Sequence, residues 1–190
     1  NVTVGNSLVW SAGTGIWDIN LSSNWNNQTT TYTDGSSPLF DDSPAGAGPF
    51  TVTLSSNVLP VVVTVSNELK AYTMGGSGAI AGSATLNKSG AGMLTLTGTN
   101  TYSGATTINV GRLQAGSSAA LPTATVLTVA NTGVFDLNGF NATVASVGAG
   151  GSSAPATKSF CPAAAGAGDC GAVARAGAGR GSGFGTGWAV

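Results

Sequence analysis

"KSGAGMLTLTGTNTYSGATTINVGRLQAG", residues 88–116, decides how the rest of the chain is read. Its charged residues are Lys88 and Arg112, with no acid and no histidine. In "MLTLT" (93–97) and "TTINV" (106–110), apolar residues alternate with Thr or Asn. That is the period of a half-buried strand. A tight hairpin favours Asn-Gly or Asp-Gly between its strands. This stretch has neither, and single glycines stand where a chain would turn a corner. The pattern is strand, corner, strand.

The same pattern extends outward. "FTVTL" (50–54), "VVVTV" (61–65), "AYTM" (71–74), "ATLN" (84–87), "VLTVA" (126–130), "VFDLN" (134–138) and "ATVASV" (142–147) are further strand-length runs. They recur at a spacing of about ten residues, with Gly, Asn and Ser between them and nothing helical intervening. Such a series suggests a sandwich, a barrel or a β-solenoid. The gaps favour the solenoid, because the hairpin-type pair Asn138-Gly139 is an exception. Stacked coils pair every strand edge except those at the two ends. Outward Thr residues then form ladders, and scarce charge avoids stacking like upon like. The inward set expected from the alternation is Leu94, Leu96, Ile108, Val110, Leu113, Leu127, Val129, Phe135 and Leu137.

Composition excludes several classes. Only 7% of the 190 residues are charged, against about 25% in an ordinary soluble domain. The net charge of −1 provides no footprint for nucleic acid or anionic lipid. The most apolar run, "VLPVVVTV" (58–65), falls well short of the roughly 20 residues of a membrane span. The absence of histidine excludes Ser-His-Asp and Cys-His catalysis in their usual form and every His-ligated metal site. No cofactor or metal set is legible. Cys161 and Cys170 could close a small disulfide loop in an oxidising compartment or stand as two free thiols. "GAGDCG" (166–171) matches a dinucleotide-binding glycine pattern, but it lacks the preceding strand and following helix that such a site needs. The sequence opens at Asn1 without an initiator Met or a leader, which reads as a mature product or an excised fragment.

Three regions follow: a Trp-rich cap over 1–49, the strand repeats over 50–150, and an Ala/Gly-rich, low-complexity tail over 151–190 expected to be poorly ordered. Trp10, Trp17 and Trp25 serve either as packing at one end of the core or as a platform for stacking sugar rings. Asp34, Asp41 and Asp42 read either as a solvated turn or as paired carboxylates that serve glycoside hydrolysis or bind calcium, and Asp136 as a corner residue, with all four the carboxylates a β-helical hydrolase would draw on.

The opening stretch resembles the autotransporter-associated β-strand repeat of bacterial passenger domains. The resemblance rests on Lys88, Gly90, Gly92, Leu94, Leu96, Gly98, Asn100, Thr101, Tyr102, Gly104, Thr106, Ile108, Gly111 and Leu113. It extends in weaker form over residues 8 to 150, through "WSAGTGIWDINLSSNWN" before it and "VLTVANTGVFDLNGFNATVASVGAG" after it. It implies a right-handed parallel β-helix, exported and displayed or released at the bacterial surface. Full-length members usually carry a C-terminal membrane β-barrel, and the Ala/Gly tail cannot make one. The repeat marks architecture and export. The expected role is a structural, non-catalytic module supporting adhesion or presentation, with surface glycans or host or matrix proteins as partners. The alternatives are a β-helical hydrolase and a carbohydrate-binding module built on the tryptophans.

Overall fold

Alternation of Val, Leu and Ile with Thr commits each short run to one buried and one exposed face, and glycine corners let the runs stack. The computed structural model describes residues 7–149, 158–159 and 173–174. Its strands are β1 (Ser7–Val9), β2 (Gly15–Trp17), β3 (Ser37–Phe40), β4 (Phe50–Leu54), β5 (Val62–Ser66), β6 (Tyr72–Gly76), β7 (Thr85–Ser89), β8 (Met93–Leu96), β9 (Thr106–Ala115), β10 (Val126–Asp136) and β11 (Ser146–Ala149), followed by the two-residue β12 (Lys158–Ser159) and β13 (Val173–Ala174). Cys161, Cys170, the "GAGDCG" motif and most of the tail over 151–190 lie outside the described residues.

All the strand pairings that link β1 through β11 are parallel. They form two ladders. One runs β1, β3, β5, β7, then the first half of β9, the first half of β10, and β11. The other runs β2, β4, β6, β8, then the second halves of β9 and β10. A third side of each coil is irregular but still stacked: Val58 pairs in parallel with Ile80, and the Thr101 amide donates to Ile80 O at 2.9 Å. The result is a β-solenoid of about five turns. Equivalent positions of successive coils lie about 20 residues apart, as between Asn100 and Ile80. β12 and β13 pair antiparallel with each other.

The ladders sort side chains into columns. Phe50, Tyr72, Leu94, Leu113 and Phe135 stack inward in register. So do Val52, Met74, Leu96 and Ala115. Outward, Thr64, Asn87, Thr107 and Thr128 form one polar column, and Thr51, Thr73, Thr95 and Gln114 another. Of the residues expected inside, all but one are buried. Val110 is 38% exposed. The reason is local: β9 crosses from one ladder to the other at Gly111, whose φ is +74°. The corner breaks the period-2 alternation, so Asn109 and Val110 both face out. Asn138-Gly139 does make a tight turn, with both φ positive and Phe140 N donating to Leu137 O at 2.8 Å. It redirects the chain without making a hairpin, because β10 and β11 pair parallel.

Rings close the N-terminal end. Trp10, Trp17, Trp25, Tyr32 and Phe40 are completely buried. Trp10 and Trp25 meet edge to face at 5.0 Å between centroids, and Trp17 meets Tyr32 likewise at 5.3 Å. These are the arrangements aromatic quadrupoles favour. Trp10 Nε1 donates to Gly13 O at 2.8 Å.

Candidate functional site

Two of the inward columns contain a polar residue. Lys88 stands between Val65 and Ile108, and Thr106 between Leu86 and Leu127. A buried polar group must find partners or destabilise the fold. Both residues find theirs, and together with Asn100 they form a polar spine through the repeat coil.

Lys88 is fully buried, and its ammonium reaches the corner. Nζ donates to Ser89 O at 2.9 Å and to Gly90 O at 2.7 Å, with a longer contact of 3.5 Å to Val110 O in the next coil. Burial pulls its pKa down to about 8, opposed in part by the charges of Glu68 and Asp42. The coils touch backbone to backbone here. A Cβ on Gly90 would lie 2.3 Å from Asn67 O, and one on Gly111 would lie 2.2 Å from Gly90 O. Gly90 and Gly111 also adopt positive φ, so this corner requires glycine twice over.

The preceding coils continue the same corner. Asp42 accepts from the amides of Glu68 at 2.9 Å and Lys70 at 3.0 Å, and more weakly from Leu69. Desolvation opposes the charge of Asp42, but those amides and the Lys70 ammonium outweigh it, so its pKa lies below the ordinary value. Lys70 Nζ donates to Asp42 O and Pro44 O and lies over the Phe50 ring. Glu68 in turn accepts from the Ala91 amide at 2.9 Å.

Asn100 clamps three coils. Its Oδ1 accepts from the Ile80 amide at 3.1 Å, and its Nδ2 donates to Ala120 O at 2.8 Å. Nearby, Tyr102, Thr106 and Thr125 form a buried chain of hydroxyls. Thr125 Oγ1 donates to Gly104 O at 2.7 Å, which uses its only proton. Thr106 therefore donates to Thr125 at 3.0 Å, and Tyr102 donates to Thr106 at 2.7 Å. Burial raises the pKa of Tyr102 far above the ordinary phenol value, keeping it a donor.

The two chemical alternatives fare differently from this spine. The stacking platform is overturned: Trp10, Trp17 and Trp25 are all sealed in the core, mutually edge-on rather than coplanar and exposed. The four candidate carboxylates hold turns and coils. Asp34 accepts from the Leu59 amide at 2.8 Å, and Asp41 from the Ser43 amide at 2.8 Å. Asp136, expected at a corner, accepts from the Asn138 amide at 2.9 Å and pairs with Arg112 at 2.8 Å. Sequence reasoning had not singled out the inward placement of Lys88 and Thr106. The signal was present: counting by two from Leu86 reaches Lys88, and counting back by two from Ile108 reaches Thr106.

The repeat coil is also where similarity to known families lies. Residues 86–115 match the passenger-associated-transport-repeat. The match covers β7, β8 and β9 with the corner between them, so the residues on which the resemblance rests and the polar spine largely coincide. The chain is also similar to a protein described as the adhesin BmaC autotransporter of Brucella suis biovar 1 (strain 1330), with 39% identity over 82 residues. Those residues are 43% of this chain and 2% of that protein. The chain thus spans a small fraction of the length of its relative. No solved structure matches. Within the matched segment of this chain, Gly90 and Gly111 allow the close approach of neighbouring coils, Asn100 bonds to the coils on either side, and Lys88 ties the corner carbonyls.

Proposed function

We propose that this chain is a structural, non-catalytic module of an exported bacterial passenger, displayed at or released from the cell surface, that supports adhesion or presentation. One observation carries the reading: the repeat of residues 86–115 forms a coil in which buried Asn100 and Thr106 hydrogen-bond to the neighbouring coils. A segment built this way transmits position along an axis and holds its outer faces apart. Those faces carry Thr, Asn and Gln columns with little charge, which suits many weak contacts with surface glycans or with host or matrix proteins. The similarity to an autotransporter adhesin supports the same direction. The backbone hydrogen bonds that Asp34, Asp41, Asp42 and Asp136 accept support the structural reading.

The test has two arms. Beads coated with the folded chain should adhere to host cells or matrix more than beads coated with heat-unfolded chain. The purified chain should show no turnover on polysaccharide and ester panels. Turnover that disappears in Asp41→Ala or Asp42→Ala, with folding intact, would replace this reading with a β-helical hydrolase.

A further inference from the structure

The third side of the coils, opposite neither ladder, carries a groove of about 380 Å³. This falls at the small end of the roughly 300–1,000 Å³ typical of small-molecule sites. Its lining comes from three successive coils: residues 99–101, then 118, 119 and 121–124, then Thr143. No charged side chain and no aromatic ring lines it.

Two features distinguish this groove from the rest of a hydroxyl-rich surface. The first is its division into floor and rim. Leu121 and Pro122 are buried and supply an apolar floor, while Thr99, Thr101, Ser118, Thr123 and Thr143 are exposed along it. None of those five hydroxyls has a hydrogen-bond partner among the described residues. The second is its fixed walls. Asn100 is locked to Ile80 and Ala120, Thr125 N closes a turn onto Pro122 O at 3.1 Å, and Ala120 N closes another onto Ser117 O at 3.3 Å. A site with fixed walls loses little freedom when it binds.

A pyranose is amphipathic, with a C–H face and a rim of hydroxyls. It matches an apolar floor bordered by hydroxyls that both donate and accept. The lack of any cationic side chain disfavours a sialylated, sulfated or uronic sugar, whose charge would go unpaired. We propose that this groove is a subsite for a neutral mono- or disaccharide unit of a surface glycan. The proposal deepens the adhesion reading and rests on it.

The full chain, isotopically labelled, would be titrated with glucose, galactose, mannose, N-acetylglucosamine and lactose, with sialyllactose as the charged control, and followed by amide NMR shifts. At least one neutral sugar should bind in the millimolar range, with shifts concentrated at residues 99–101, 118–124 and 143. Thr101→Val and Thr123→Val remove hydroxyls while keeping shape, and each should weaken binding roughly fivefold. Because both side chains are exposed, the fold should survive, and unchanged shifts elsewhere would verify it. Three outcomes would overturn the subsite: no binding of any neutral sugar, shifts centred elsewhere, or affinities unchanged in both variants. If the bead assay still shows adhesion that both variants leave intact, the adhesion reading stands and only the groove assignment fails. If adhesion itself is absent, the broader reading fails first.

Discussion

The N-terminal end and the repeat coil bury comparable side chains by different means. At the end, Trp10, Trp17, Trp25, Tyr32 and Phe40 fill the core with rings, and the buried carboxylate of that region, Asp18, is spent locally on Ser22. In the coil of residues 86–115, leucines and Ile108 share the interior with Lys88, Asn100 and Thr106. The difference follows from what each must do. An end has to cover apolar surface once, and large rings bury the most area per residue. A coil has to be placed in one register between two neighbours. Apolar contacts tolerate sliding, whereas a buried polar group satisfied only in one register penalises every other. The ring-filled first coil supplies area, and the repeat coil supplies position.

The largest effects should come from the area term. Trp17→Ala removes a fully buried ring packed on Trp25, Tyr32 and Phe40. Loss of about 3–5 kcal/mol is expected from chemical denaturation. Native-state hydrogen exchange should show protection lost first over residues 7–40. Leu96→Ala, in the repeat coil, should cost about 2–5 kcal/mol and lower protection on the coils either side. If Trp17→Ala loosened residues 86–115 as much as residues 7–40, the division between cap and repeat would fail.

Lys88→Met removes the charged group from the repeat interior and leaves Asn100 and Thr106 in place. It strands the carbonyls of Ser89 and Gly90, for about 1–3 kcal/mol at neutral pH. The pH dependence identifies the cause. Lys88 titrates at about 8 in the folded chain against an ordinary 10.5. Below pH 8 it is protonated in both states and contributes no slope. Between pH 8 and 10.5 the unfolded chain binds more protons, so stability rises with pH. Tyr32, Tyr72 and Tyr102 act oppositely, because burial raises their pKa values above 10 and the unfolded chain ionises first. The clean window is therefore pH 8 to about 9.5. Wild-type midpoints in urea should rise across it, and those of Lys88→Met should stay level. A level wild-type curve would mean that Lys88 is not held in a desolvated corner.

How far the sequence announced this structure depends on whether the information was local. The period-2 runs and the single-glycine corners made the parallel solenoid legible, and the residues from Lys88 to Leu113 made the repeat legible. Val110 was misread because a corner inside β9 resets the alternation, and nothing in "TTINVGRL" separates a corner glycine from a strand glycine until the neighbouring coil is present. The Trp cluster admitted two readings, since a buried ring and a stacking platform have the same composition. The groove on the third side draws on residues around 100, 120 and 143, and no local pattern joins them. Asn100 likewise looks like a turn residue until the coils on either side supply its partners.

The smallest effect sharpens the comparison most, because one substitution can be made on both faces of the same coils. Thr106 faces inward, accepts from Tyr102 and donates to Thr125. Valine there keeps the shape and the β-branched backbone preference, but it leaves the Tyr102 hydroxyl buried without its acceptor. That should cost about 1–3 kcal/mol. Thr73 lies in the outward column between Thr51 and Thr95, and no side-chain hydrogen bond ties its hydroxyl. Thr73→Val should change stability by less than about 0.5 kcal/mol. Urea midpoints for the two variants, measured side by side, separate register from propensity. Equal costs would mean that the buried hydroxyl chain contributes nothing beyond what any strand Thr contributes. A cost confined to Thr106→Val would place the register of the repeat in its polar interior.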